Sequence, residues 1–278
     1  AVTGLCFCVP FFLAAFTLLF ISFILHIVTK IFLKTICALH RVGGFFMYDQ
    51  LLRAIDLYFD EVKVLRRSAR GVITLLRHRK TGKRYVFRQF MGSADVYRRL
   101  LTVECPHLPR IEEAVDSDGR VAVLEEYVQG DTLLFLLEGG LLDWTEAKKV
   151  TQDVCAALWV LHSLGAVHRD VKDSNVILRG SDAVLIDFDA SRIVKPELAA
   201  DTVVLGTTGY AAPEQFGLSQ TDGRADIYSL GVLLNVMLTG QHPSRKLASG
   251  KAGHIVQRCT MMNPDQRYQT VWELRDAL

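Results

Sequence analysis

The sequence predicts an α+β fold of two lobes, a small β-rich N-lobe and a larger helical C-lobe, preceded by an apolar helix. Three observations carry this. Residues 61–90 and 110–127 hold short runs rich in Val, Ile, Tyr and Phe, broken by turn residues such as Lys80-Thr81-Gly82-Lys83 and Asp116-Ser117-Asp118-Gly119. From Thr145 onward, apolar residues recur at three- and four-residue spacing, as one helix face requires. Leu5–Val28 is a nearly unbroken apolar run without Lys, Arg, Asp or Glu. A chain of 278 residues with net charge +2 suits one two-lobed domain and little more. The organisation read from this is a leader at 1–46, an N-lobe with a lead-in helix at 47–128, and a C-lobe at 129–278.

The leader contains nine of the chain's Phe residues and no Asp, Glu or Met. About residues 5–28 are long enough to span a bilayer as a helix. Lys30, Lys34, His40 and Arg41 follow, so the positive-inside rule puts the rest of the chain in the cytoplasm, with membrane association through residues 5–28. A second reading stands beside it. The first methionine is Met47, so residues 1–46 also fit a reading frame extended upstream of the true start. A signal peptide fits less well, because no charged n-region precedes the apolar run.

After the leader, Tyr48–Asp60 reads as a helix with Leu51, Leu52, Ile55 and Leu57 on one face. Residues 61–90 read as a β-meander and Ser93–Glu104 as a helix ended by Pro106 and Pro109. Strands follow near 110–116 and 121–127, and Gly130 marks a break between the lobes. Thr145–Leu164 is a helix closed by Gly165, a C-cap signal. Asp226–Thr239 and His254–Thr260 supply further helices. Cys6, Cys8, Cys37, Cys105, Cys155 and Cys259 show no CxxC spacing and read as reduced thiols. The basic clusters Arg66-Arg67, Arg77-His78-Arg79-Lys80 and Lys83-Arg84 read as a solvated face, with no nucleic acid partner.

The chemistry concentrates in residues 168–175, His-Arg-Asp-Val-Lys-Asp-Ser-Asn, and in Ile186-Asp187-Phe188-Asp189. Phosphoryl transfer needs a carboxylate near the attacking hydroxyl, oxygen ligands for a divalent ion, and a cation for the developing charge. Asp170 supplies the first, Asn175 and Asp187 the second, and Lys172 the third. Two apolar runs, Val176-Ile177-Leu178 and Ala183-Val184-Leu185-Ile186, read as a β-hairpin beneath them. Either fragment alone reads as readily as a polar loop or a strand-end acid. It is their order together that points to chemistry.

These segments resemble the catalytic loop and metal-binding motif of the eukaryotic-type (Hanks-type) protein kinases, and look like the bacterial serine/threonine members of that family. The resemblance covers about residues 61–278. Gly206-Thr207-Thr208-Gly209-Tyr210-Ala211-Ala212-Pro213-Glu214 resembles the family's peptide-positioning loop and Ala-Pro-Glu motif. The resemblance implies that Thr207 bonds Asp170 and Lys172, that Asp226 holds the catalytic loop backbone, and that Arg267 pairs with Glu214. It implies ATP and magnesium, with manganese as the alternative ion, and a protein substrate. Small-molecule phosphotransferases share the Asp…Asn…Asp logic but are expected to lack the Ala-Pro-Glu loop and its arginine. The activity implied is ATP-dependent transfer of the γ-phosphoryl group to serine or threonine hydroxyls, with autophosphorylation on the segment from Asp187 to Glu214. Thr202 is the first candidate acceptor and Thr208 the second. The competing reading is a nucleotide-binding pseudokinase that acts as a scaffold.

The N-lobe departs from the family. Nucleotide contacts are implied at Gly71, Ile73, Val86, Arg88, Asp95, Glu126, Val128 and Ile177, with Ile73, Val86 and Ile177 around adenine. Yet only Gly71 survives of the three glycines of the phosphate loop, since Arg66 and Ser68 stand in the other two places. Arg88 replaces the strand lysine, a planar fork for a compact ammonium. Asp95 is the expected acidic partner of Arg88, and Glu125, at the position before the hinge, is the second candidate. Asp189 replaces the glycine of Asp-Phe-Gly, which predicts a motif that flips less readily.

Overall fold

The computed structural model describes residues 44–194, 207, 209–216 and 221–278. The apolar leader, including residues 5–28, lies outside the described residues, as do Thr202 and Thr208. Among the described residues no helix is long and apolar enough to cross a membrane.

The chain opens with α1 (Gly44–Tyr58) and then builds an antiparallel sheet from β1 (Phe59–Ser68), β2 (Gly71–His78), β3 (Arg84–Met91), β4 (Ile111–Ser117) and β5 (Arg120–Glu126), in the order β1-β2-β3-β5-β4. Two-residue reversals set its register. Between β4 and β5, Asp118 and Gly119 both take positive φ (50° and 75°), the backbone that an Asp-Gly hairpin favours.

Strand alternation then sorts the side chains. Phe87, Ala122 and Leu124 face α1, which covers them with Met47, Tyr48, Leu51 and Ile55. Val121 and Val123 face the other core. By the same parity Arg88 and Glu125 point away from α1, on the face that looks toward the rest of the molecule. Val86 pairs with Glu125 and Arg88 with Val123, so Arg88 and Glu125 are diagonal neighbours, within reach of two long side chains.

The helix α2 (Asp95–Leu100) is shorter than the span Ser93–Glu104 expected from the sequence. Tightened bonds from Leu101 N to Arg98 O (3.4 Å) and from Val103 N to Leu100 O (3.1 Å) close it. The β-branched Thr102 and Val103 follow, where a helix is disfavoured.

Past β5 the chain becomes helical: α3 (Leu133–Gly139), α4 (Trp144–Ser163), α5 (Gly223–Thr239), α6 (Gly250–Cys259) and α7 (Val271–Ala277). Asp143 and Glu146 form a reciprocal capping box at the start of α4. Gly165 follows that helix with φ 69°, the left-handed turn that its C-terminus needs. Leu158 and Leu161 of α4, and Leu230, Leu233 and Leu234 of α5, form the centre of a single large core.

Short strands lie on this helical base. One sheet joins β6 (Asp131–Thr132), β8 (Val176–Arg179) and β9 (Asp182–Leu185), and another pairs β7 (Ala166–Val167) with β10 (Arg192–Ile193). The hairpin expected after Asn175 is β8–β9. Gly130 is required where the chain enters, because a Cβ there would lie 2.0 Å from the Leu178 carbonyl oxygen.

Candidate functional site

The loop after β7 is fixed from below. Asp226, fully buried in α5, accepts the backbone amides of His168 (2.9 Å) and Arg169 (2.7 Å) and the ring N–H of His162 (2.8 Å). Burial pushes its carboxyl up, but the bonds from His162 and the backbone outweigh burial and hold it below the usual carboxylate range. So pinned, Arg169 takes φ 69°. The loop's return places Asp170, Lys172 and Asn175 on one side.

These three share contacts with Thr207. Asp170 Oδ1 accepts the Thr207 hydroxyl (2.6 Å), and its Oδ2 accepts Lys172 Nζ (2.6 Å) and Asn175 Nδ2 (3.0 Å). Lys172 Nζ also donates to Thr207 Oγ1 (2.6 Å). Asn175 gives its amide N–H groups to the carboxylate and backbone oxygen of Asp170, and its Oδ1 accepts from none of the described residues. The Asp187 carboxylate has one oxygen on Arg88 (3.1 Å) and the other 3.8 Å from Arg66. One amide oxygen and one carboxylate oxygen are a donor set for a hard cation that completes its shell with phosphates and water, as magnesium does. Among the described residues no group of three or more His, Cys, Asp or Glu could hold a resident metal.

Above the loop lies Arg88, 3 % exposed. Its Nε donates to Glu125 Oε1 (2.6 Å), and its Nη1 lies between Asp187 Oδ1 (3.1 Å) and Asp189 Oδ2 (3.4 Å). Asp189 Oδ1 accepts the Tyr97 hydroxyl (2.6 Å). The pairing expected of Asp95 is therefore corrected. Asp95 sits on the exposed first turn of α2 and pairs with Arg98 at 3.6 Å, while the buried strand acid Glu125 takes Arg88. An aspartate on that turn is too short to cross to β3. The β3–β5 register puts Glu125 on the same face as Arg88.

The roles of Asp189 and Tyr97 were not foreseen. Asp189 was legible only as a missing glycine, and nothing local marks Tyr97, 92 residues away. The three acids titrate unequally. Burial pushes Asp187 up but Arg88 overcomes it and holds Asp187 low, whereas burial and the neighbouring Asp187 leave Asp189 raised. Burial also leaves Glu125 raised despite Arg88.

Between these groups is a cleft of about 280 Å³. Arg66, Arg70, Arg88 and Lys172 line it, with Asp170, Asp187, Asp189, Thr207, Gly71 and Ile73. At Gly71 a Cβ would lie 2.1 Å from the Gln89 carbonyl oxygen, so glycine here serves the close approach of β2 to β3. The other expected nucleotide contacts do not line this cleft. Val86 and Val128 are buried, Ile177 is half-buried on β8, and Glu126 accepts Arg179 at 3.0 Å.

The outer wall is tied to the same loop. Tyr210 donates to Asp173 Oδ2 (2.9 Å), and Gln215 Nε2 donates to the Arg169 carbonyl (2.9 Å). Farther out, Arg267 forks onto Glu214 at 2.6 and 2.9 Å, as the resemblance implied.

Comparison with known proteins agrees with this arrangement. Residues 63–276 match the family model described as protein kinase domain. Serine/threonine-protein kinase pkn2 of Myxococcus xanthus is 35% identical over 164 residues, which is 55% of this chain and 20% of that protein. Serine/threonine-protein kinase PknB of Mycobacterium leprae is 30% identical over 194 residues, 60% of this chain and 31% of that protein. Serine/threonine-protein kinase PknD of Mycobacterium tuberculosis is 34% identical over 218 residues, 75% of this chain and 32% of that protein. The aligned stretches thus span between 20% and 32% of the length of these relatives.

Proposed function

The chain belongs to the protein kinase domain family, and from that premise we propose that it transfers the γ-phosphoryl group of ATP to serine or threonine hydroxyls of proteins, its own activation segment included. The carrying observation is the Asp170 carboxylate, oriented at once by Thr207, Lys172 and Asn175. In this reading Asp170 orients the acceptor hydroxyl and takes its proton. Lys172, 2.6 Å from both Asp170 and Thr207, sits where charge develops on the moving phosphoryl. Asn175 and Asp187 would hold the divalent ion through the two oxygens described above. Arg88, Gly71 and Ile73 line the cleft that takes the phosphates, and the family resemblance assigns adenine to Val86, Ile177 and the hinge segment with Glu126 and Val128, which lie outside that cleft. A bound magnesium–ATP complex supplies the phosphoryl group and the divalent charge. A carboxylate placed in this way contributes about 10²–10⁴ in rate.

A protein acceptor is favoured over a small molecule by the Ala212-Pro213-Glu214 segment, held by Arg267 and joined to the catalytic loop through Gln215 and Tyr210. The serine/threonine preference draws on Thr207 and on the serine/threonine-protein kinases to which the chain is similar.

A second reading, a nucleotide-binding scaffold without transfer, draws on Arg88, whose charge is shared by three carboxylates. Incubation with labelled ATP and magnesium, followed by phosphoamino-acid analysis, separates the two. Phosphoserine or phosphothreonine that vanishes in Asp170→Asn supports the enzyme. Nucleotide-induced thermal stabilisation with no label transfer supports the scaffold.

A further inference from the structure

We propose that Asp189 is a positioning residue for Arg88, and that Tyr97 sets it, so that helix α2 reaches the phosphate-facing arginine through a hydroxyl and a carboxylate instead of through an acid of its own. The proposal rests on the nucleotide-binding reading above and adds residues to it.

Arg88 has three N–H edges. Glu125 takes Nε at 2.6 Å, and Asp187 and Asp189 share Nη1 at 3.1 and 3.4 Å. Nη2 makes no hydrogen bond to a described residue, and Arg88 lines the cleft. The guanidinium is thus held on two edges and presents the third. That is the arrangement for a planar fork that meets phosphate oxygens.

Of the two acids on Nη1, Asp187 has a second claim on its charge, since it is also the proposed ligand of the divalent ion. Asp189 does not. Its Oδ1 is occupied by Tyr97 and its Oδ2 faces Arg88, so both oxygens are engaged within the protein. Were Asp187 to turn its charge to a cation, Asp189 would remain as the acid on Nη1, with Glu125 on Nε.

Tyr97 is suited to hold Asp189 still. It is 1 % exposed, and its ring meets Phe188 edge-on at 5.7 Å and Phe90 at 5.9 Å. The only acid of α2, Asp95, is exposed and turned to Arg98. The path from α2 to Arg88 therefore runs Tyr97 to Asp189 to Arg88.

The test compares binding of ADP and of adenosine by calorimetry, with magnesium, in the parent chain, Asp189→Asn and Tyr97→Phe. Asp189→Asn keeps the shape and removes the charge. Tyr97→Phe removes only a hydroxyl, so it keeps the question open should the first variant fold poorly. The expected result is ADP affinity lowered roughly tenfold in Asp189→Asn and about threefold in Tyr97→Phe, the scale of a lost charge-assisted hydrogen bond and of its support, with adenosine unchanged in both. A merely structural role would weaken ADP and adenosine together, and that result overturns the proposal. So does ADP affinity equal to the parent's in both variants. A parent chain that binds no ADP overturns the proposed function itself, and this proposal with it.

Discussion

Replacing Arg267 by alanine removes a buried side chain of the helical part that makes five hydrogen bonds. Arg267 is 1 % exposed and uses every N–H it has. Nε donates to Met261 O (2.7 Å), Nη1 to Glu214 Oε1 (2.6 Å) and Arg224 O (3.0 Å), and Nη2 to Glu214 Oε2 (2.9 Å) and Met262 O (3.3 Å). Alanine leaves a half-buried carboxylate without its cation and three carbonyls without a donor. Half-breaking a buried pair costs about 3–5 kcal/mol. For a domain of this size each kcal/mol moves Tm by about 2–4 °C, so the loss is about 6–20 °C. Thermal unfolding followed by circular dichroism reads it, with urea denaturation as the isothermal check. Arg267→Lys should fall between, because an ammonium cannot fork onto both oxygens. The double variant Arg267→Met with Glu214→Leu should recover the share due to the stranded carboxylate. A Tm for Arg267→Ala within about 2 °C of the parent would refute the reasoning, since no stranded charge of this kind is that cheap.

Two further outcomes follow from the same geometry, and a third from the sequence. Arg88→Leu leaves three carboxylates around one apolar site and should cost about 3–5 kcal/mol in urea denaturation, whereas Glu125→Leu leaves Arg88 two acids and also removes the unpartnered Oε2, so it should cost less; the reverse order would contradict the cluster described. His168 is buried, and burial lowers it below its ordinary 6.5, so its stability contribution is full above that pH and is lost as pH falls through the lower folded value. Melting scans from pH 7 to 5 should fall in the parent and flatten in His168→Phe, which keeps an aromatic ring against Phe188; an unchanged slope would assign the effect elsewhere, the part-buried His78 and His242 included. Thr202→Ala should lower phosphate incorporation and activity, and full activity with unchanged phosphate content would remove Thr202 as the acceptor.

Much of the site was legible because its motifs are local. Asp170, Lys172 and Asn175 lie within six residues, so the spacing alone brings them together, and Asp187 follows one hairpin later. Glu125 was legible at longer range only through the family resemblance, which sets it just before the hinge; the β3–β5 register then puts Arg88 and Glu125 on one face. Asp95 misled for the opposite reason. A helix acid can point in several directions, and the length of α2 depends on bonds at its end that sequence does not display. Asp189 looked like a loss of flexibility, when in the fold it bonds Tyr97 and faces Arg88. That is a tertiary contact between distant segments, and no periodicity encodes it.

The central claim is that Asp170 acts on the acceptor hydroxyl and not on nucleotide affinity. The most direct measurement is the single-turnover rate of label transfer from saturating ATP and magnesium in Asp170→Asn beside the parent, each with its nucleotide affinity. The account predicts affinity within about twofold and a transfer rate lower by about 10²–10⁴. Transfer at the parental rate in Asp170→Asn, or a loss wholly explained by weaker nucleotide binding, would contradict it.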